Sequence, residues 1–225
     1  MRITLALTGL LLFVALPSLA NLYTEWLWFG EVGYQAIFLK SLTAKGLLSS
    51  AGFLIAFVVL YANLRFAITE IHRPYVLFAG GGDLQPLVLE RSHVGALAIG
   101  VSSLVALFVG SVASSQWMLV LQYFEATPFG AFDPLFGLDA SFYIFALPFY
   151  DFLRFSTLSL IVLALSGSVG AYVIAGEITL DPGGIQIGKR ARQHLLLLVA
   201  GIFGLLAWGA YLEMPRLLTT PAGIV

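Results

Sequence analysis

Apolar residues run in long unbroken blocks along this chain, and polar residues collect in short stretches between them. The blocks at 3–20, 46–68, 94–113, 152–175 and 195–212 each approach the roughly 20 residues that a helix needs to cross the hydrocarbon core of a bilayer. The middles of these blocks hold no Asp, Glu, Lys, Arg or His. The pattern predicts an all-α integral membrane fold with about five spans, built as a single multi-pass domain over 1–225. Residues 18–20, Ser-Leu-Ala, also resemble a small-residue cleavage site, so a secretory leader is the rival reading of the first block. Both readings leave Asn21 outside.

The segments between the blocks differ from one another. Residues 21–45 are rich in rings (Tyr23, Trp26, Trp28, Phe29, Tyr34, Phe38) with Glu25, Glu31, Lys40 and Lys45 among them. Such rings favour the headgroup zone, and the pattern predicts an interfacial segment along the outer surface. Residues 114–125 place Trp117, Val120, Leu121 and Phe124 on one helical face, which predicts a second helix lying flat at that interface. In the polar loop 69–93, Gly80-Gly81-Gly82-Asp83 lacks the Lys-Ser/Thr ending of a phosphate cradle and reads as a flexible turn. Residues 178–187 alternate around Asp181-Pro182-Gly183-Gly184, which predicts a small β-hairpin, placed on the cytoplasmic side. Small residues recur at four-residue spacing: Ala96 with Gly100, Ala98 with Ser102, Ala106 with Gly110, Ser166 with Gly170, Gly167 with Ala171. Ala200 and Gly204 stand likewise in the last block. Faces of this kind let helix backbones approach closely in lipid.

Composition agrees with the pattern. Apolar residues make up 60% of the chain and charged residues 10%, against about 25% charged in a soluble domain. A net charge of −1 and no basic stripe argue against nucleic acid as a partner. The chain has no cysteine, which removes disulfides, thiolate catalysis and cysteine-based metal sites. Lys and Arg set the orientation. With the amino terminus inside, Arg2, Arg65, Arg73, Arg91, Lys189, Arg190 and Arg192 fall inside, and Lys40, Lys45, Arg154 and Arg216 outside. This asymmetry predicts a multi-pass plasma membrane protein with a cytoplasmic amino terminus and an extracytoplasmic carboxyl terminus.

The richest chemistry lies at 127–154, where rings alternate with Asp, Gly and Pro. Asp133-Pro134 reads as a helix N-cap followed by proline at the first helical position. Asp139 reads as the cap of a second short helix through Ser141 and Phe142. Pro148 reads as the opening of the fourth span, and Asp151 and Arg154 as an ion pair on one helical turn at the outer boundary. Asp133 and Asp139 as a catalytic or metal-binding pair are the sharper alternative; no histidine lies near them. Together with Tyr143, these residues form the candidate outer-face motif. His72, His93 and His194 fall near inner span ends and read as wet or capping histidines.

The string Phe129-Gly130, Asp133-Pro134, Phe136-Gly137, Asp139, Ser141-Phe142-Tyr143, Phe145, Leu147-Pro148-Phe149 resembles a segment of a large bacterial membrane family, Uncharacterised Protein Family 0182. Tyr23–Phe29 with Gly33-Tyr34, Ala191–Leu195 and Trp208-Gly209 are similar to other parts of it, so the resemblance covers nearly the whole chain. It implies a multi-pass module with further spans and a large extracytoplasmic domain beyond it, and hence a fragment or truncated member. It implies no catalytic, metal or cofactor residue, and no cofactor is expected.

Three functions compete. The first is an anchoring or assembly module for an extracytoplasmic domain or protein partner, supported by the packing faces and interfacial rings. The second is a transporter or channel component, disfavoured by spans without ionisable centres. The third is a membrane enzyme acting on lipid or glycan at the outer face through Asp133, Asp139 or Asp151. The residues carry no catalytic constellation, and the first reading is the expectation.

Overall fold

The structure, a computed structural model, describes residues 2–68, 75–77, 87–89, 91–181 and 184–218; the side chains of 2–12, 14, 15, 75–77, 87–89, 91, 92, 180 and 181 are excepted. Elements follow in the order α1 (Arg2–Glu31), α2 (Gln35–Ile68), β1 (Tyr75–Leu77), β2 (Leu87–Leu89), α3 (Arg91–Ser115) and α4 (Trp117–Phe124). A π-helical turn (Phe142–Ala146), α5 (Leu147–Ile174), β3 (Ile178–Asp181), β4 (Gly184–Ile187) and α6 (Lys189–Arg216) complete the chain. Among the described residues, four helical stretches are long and apolar enough to cross a membrane: Gln35–Ile68, His93–Ser115, Phe142–Ile174 and Lys189–Arg216. The fifth expected span, 3–20, is helical as the first part of α1, but most of its side chains fall outside the described residues.

The chain packs as two units, Met1–Leu47 and Leu48–Val225. In the first, the segment 21–45, expected to lie along the outer surface, is helical on both sides of a turn at residues 32–34. α1 carries Pro17 in its interior and still continues through the ring-rich stretch to Glu31. It ends at Gly33, whose φ of +76° is the left-handed conformation that a side chain resists. The chain then turns back, with Ile37 and Phe38 N–H groups donating to the Tyr34 carbonyl. Phe38 is buried against Trp26 and Phe29, whose ring centroids lie 5.8 and 5.4 Å from its own. The rings close a helical hairpin.

In the second unit α2, α3 and α5 share one seam. Ala56 and Leu60 of α2 meet Ala106 of α3 and Leu160 and Ala164 of α5. Further along, Ile68 meets Val94 and Ala98, with Ala171 and Ala175 packed against them. On α3 the seam is the four-residue series Ala98, Ser102, Ala106, Gly110, all buried as expected. A methyl on Gly110 would stand 2.6 Å from the Ser49 carbonyl oxygen, so glycine is what lets the two backbones touch. Ala96 and Gly100 stand exposed instead. On α5 the contact residues are Gly167, beside Leu64, and Ala171, while Ser166 and Gly170 are exposed. On α6 the expected contacts Ala200 and Gly204 are exposed, and Gly201 and Gly209 approach α5 in their place. Repeats of small residues are degenerate in register: neighbouring offsets satisfy the same spacing, and only packing selects one. Large side chains such as Leu104, Phe108, Leu197 and Phe203 point away from the seam and are mostly exposed.

β3 pairs with β4 in antiparallel register, Ile178 opposite Ile187 and Asp181 opposite Gly184, as the alternation predicts. β1 and β2 form a second antiparallel pair, Tyr75 opposite Leu89, in the loop read only as polar. Gly80-Gly81-Gly82-Asp83 and His72 lie outside the described residues.

Candidate functional site

Between α4 and α5 the chain makes a closed loop that two carboxylates hold together. Asp133 does not cap a helix. Residues 134–136 form a turn, and the carboxylate accepts the N–H groups of Leu135 (2.9 Å) and Phe136 (2.6 Å) through Oδ1. Its Oδ2 accepts the Leu138 N–H at 2.9 Å and the Tyr143 hydroxyl at 2.7 Å. A proline at 134 fixes φ for such a turn as readily as for a helix start, which is why the sequence misleads there. Asp139 reaches both ways along the chain: Oδ1 accepts the N–H groups of Phe129 (3.0 Å) and Ser141 (2.8 Å), and Oδ2 that of Gly130 (2.7 Å). The expected cap on Ser141 is present, and it is one part of a larger clasp. Gly130 and Gly137 take positive φ, +72° and +65°, where the loop reverses. The backbone adds Asp133 N–H to Leu138 and Ala140 N–H to Ala131.

These bonds set the charge state. Desolvation pushes the Asp133 carboxyl up, but the donors Phe136, Tyr143, Leu138 and Leu135 outweigh it and hold it below the ordinary carboxylate range. Asp139 is held at about 2, first by the Ser141 hydroxyl and then by the Phe129 and Ser141 N–H groups. Both acids are ionised at neutral pH, with their lone pairs directed at the chain's own donors. Outside the clasp, Phe129, Phe132, Leu135 and Phe136 are displayed to the surroundings, Phe132 and Leu135 most openly.

The clasp rests on a bed of rings. α4 turns off α3 at Gln116 and stacks Tyr123 on Phe149, ring centroids 4.0 Å apart and nearly parallel. Tyr150 continues the bed to Phe142 and, across to α6, to Trp208. The packed side of α4 is Val120 with Tyr123; Phe124, expected on the same face as Val120, is exposed. Pro148 does not open the helix. It stands in the first turn of α5, and the chain is already helical before it, as the π-turn. Proline has no N–H for the carbonyl four residues back and its ring crowds that carbonyl; the widened turn, in which Leu147 N–H donates to Phe142, accommodates both.

Asp151 and Arg154 were expected as partners, and the structure keeps them as a loose ion pair on one helical turn: Arg154 Nε stands 3.9 Å from Asp151 Oδ1, beyond hydrogen-bond reach. Asp151 makes a closer pair through Oδ2 with Arg216 at the end of α6, and Arg216 also bonds Glu213. Arg154 folds against Gly209, where a Cβ would stand 2.6 Å from Nη1, and lies 4.1 Å from the Phe155 ring centroid.

A second polar group joins three helices through a histidine that was read as wet or capping. His194 of α6 reaches the Asn63 side-chain oxygen of α2 through Nε2 (2.9 Å) and the buried Tyr172 hydroxyl of α5 through Nδ1 (3.0 Å). The amide oxygen can only accept, so Nε2 carries the proton and the Tyr172 hydroxyl donates to Nδ1. Partners 131 residues apart leave no local pattern. Among the described residues, no group of three His, Cys, Asp or Glu is placed to hold a metal ion.

Four helices fit to cross a bilayer, packed on small residues and topped by a carboxylate-held loop, define a multi-helix protein of membrane type. The chain belongs to the Uncharacterised protein family (UPF0182), whose profile matches residues 2–225. A UPF0182 protein of Geobacter sp. (strain M21) is 34% identical over 233 residues, covering 99% of this chain and 25% of the relative. One from Moorella thermoacetica is 32% identical over 216 residues, and one from Mycobacterium marinum 32% over 225. The chain spans about a quarter of the length of the curated relatives it matches. No solved structure matches it.

Proposed function

We propose that this chain is the membrane-embedded anchoring module of its family, and that the clasped loop is the platform on which an extramembrane region or protein partner sits. The observation that carries this reading is the clasp itself. Two ionised carboxylates are used entirely to stiffen a short loop that then presents Phe129, Phe132, Leu135 and Phe136 outward. A stiff loop with displayed rings loses little freedom when something docks on it. Apolar side chains displayed beside polar ones are what interaction surfaces are made of. Relatives about four times as long supply polypeptide for it to hold.

In this reading the module sits in the plasma membrane, with the amino terminus and the β3–β4 hairpin cytoplasmic and the clasp and carboxyl terminus outside. The Lys and Arg asymmetry supports that orientation. Spans without ionisable centres favour anchoring over coupled transport, and acids whose lone pairs are already engaged favour it over acid–base catalysis.

The test is a photo-crosslinking residue at Leu135 in the full-length protein in native membranes. Anchoring predicts a discrete polypeptide adduct at Leu135 and none at the lipid-facing control Phe108. Adducts to lipid alone at both positions, or solute flux through liposomes holding this chain, would remove the proposal.

A further inference from the structure

We propose that Arg154, at the end of α5 that meets Gly209 and Arg216 of α6, is the core of a binding subsite for a hydroxylated phosphate group of the glycerol-phosphate type. Arg154 is a guanidinium with only 9% of its side chain exposed. Among the described residues its Nε is buried with no hydrogen-bond acceptor. Its contacts with Gly209 and with the Phe155 ring supply no oxygen. The nearest carboxylate, Asp151, spends Oδ2 on Arg216, which Glu213 also engages. Arg154 is left with the looser 3.9 Å ion pair to Asp151 and no hydrogen bond at Nε.

The other orphan is complementary. Asp151 Oδ1 is buried and receives no hydrogen bond. An unfilled donor on Arg154 and an unfilled acceptor on Asp151 stand 3.9 Å apart, too far to satisfy each other. A buried charged donor without an acceptor is costly, and proteins keep one where a ligand supplies what is missing. The missing group must offer anionic oxygens to a guanidinium fork, which phosphate does in two-point fashion. It must also offer an O–H to a carboxylate, which a glycerol hydroxyl does and a bare phosphate diester does not. Gly209 is the permissive residue: its absent side chain leaves the guanidinium room against the α6 backbone. Position along the helices agrees. Arg154 lies in the first half of the stretch Phe142–Ile174, one turn beyond Tyr150, whose ring meets Trp208, and a long guanidinium side chain can reach toward headgroup depth from there.

The same chemistry comes either from a phosphatidylglycerol headgroup or from soluble glycerol phosphate. The experiment is native mass spectrometry of the whole chain, delipidated in detergent, then given phosphatidylglycerol, monogalactosyl diacylglycerol (hydroxyls without phosphate) or glycerol 3-phosphate. Wild type is expected to retain phosphatidylglycerol at least about tenfold better than the galactolipid, with Arg154→Gln falling to the galactolipid level. Arg154→Lys, which keeps the charge and loses the fork, falls between. Competition by glycerol 3-phosphate assigns the site to a soluble ligand of this chemistry; its failure to compete assigns it to lipid. Equal retention of both lipids by wild type overturns the proposal, as does full phosphatidylglycerol retention by a folded Arg154→Gln. If that variant does not fold, the wild-type comparison decides alone.

Discussion

Gly110→Ala isolates the helix contact on which the α2–α3 seam depends. The new methyl would lie 2.6 Å from the Ser49 carbonyl oxygen and 3.3 Å from Phe53 Cβ and N. Carbon to carbonyl-oxygen contact settles near 3.3 Å, so α3 must withdraw by about 0.7 Å. The obstacle is backbone, which cannot step aside as a side-chain end can. Overpacking of this kind costs about 1–3 kcal/mol. Replacing a helical glycine by alanine also returns up to about 1 kcal/mol of backbone entropy. Gly100→Ala supplies the control: it lies on the same helix, exposed, with nothing within 4 Å of the added methyl. The entropy gain is common to both, so the difference between the two variants is the overpacking cost alone, about 1–3 kcal/mol. Reversible unfolding in mixed detergent micelles, followed by tryptophan fluorescence, measures it. Equal shifts for the two variants would refute the argument that close backbone approach holds this seam.

Four further outcomes follow from the geometry. Acid should open the clasp: Asp133 and Asp139 are both held below the ordinary carboxylate value, so their stabilisation is present above 3.8 and is lost as pH falls below it, for Asp139 toward about 2. Hydrogen exchange at Phe129, Gly130 and Ser141 N–H should accelerate across that window; constant protection would refute it. Tyr143→Phe should raise the Asp133 pKa toward 3.8 and loosen Leu138 N–H while α5 stays protected, read by the same exchange experiment. His194→Leu leaves Asn63 Oδ1 without its His194 donor and takes the Nδ1 acceptor from the Tyr172 hydroxyl, and should cost about 1–3 kcal/mol, measured in the same micelles. A double-mutant cycle should give Asp151 and Arg216 a coupling of about 1 kcal/mol, with Asp151 and Arg154 coupled less.

The spans were legible because hydropathy is a local quantity summed over about 20 residues. The hairpin β3–β4 was legible for a similar reason, since Pro and Gly mark the turn between alternating runs. Asp133 and Asp139 stood out in the sequence, but their partners did not. Asx turns and N-caps share residue types, and only the path of the chain separates them. Ring-rich residues 21–31 were read as interfacial because rings favour interfaces, and that composition did not reveal that α1 runs past Pro17 through them to the turn at Gly33. The Asp151–Arg216 and His194–Asn63 contacts were out of reach. Each joins helices distant in sequence, and Asp151 already had a local partner in Arg154 that made a second one hard to foresee.

The widened turn at Phe142–Ala146 has a geometric effect on everything downstream. It contains one residue more than a regular helical winding would, so each later side chain is rotated by about 100° relative to an unbroken helix. Tyr143 can thus reach back to Asp133 while Phe149 meets Tyr123. A phase shifter of this sort decouples the azimuth of the loop from that of the rod beneath it, and either can vary without dragging the other out of alignment.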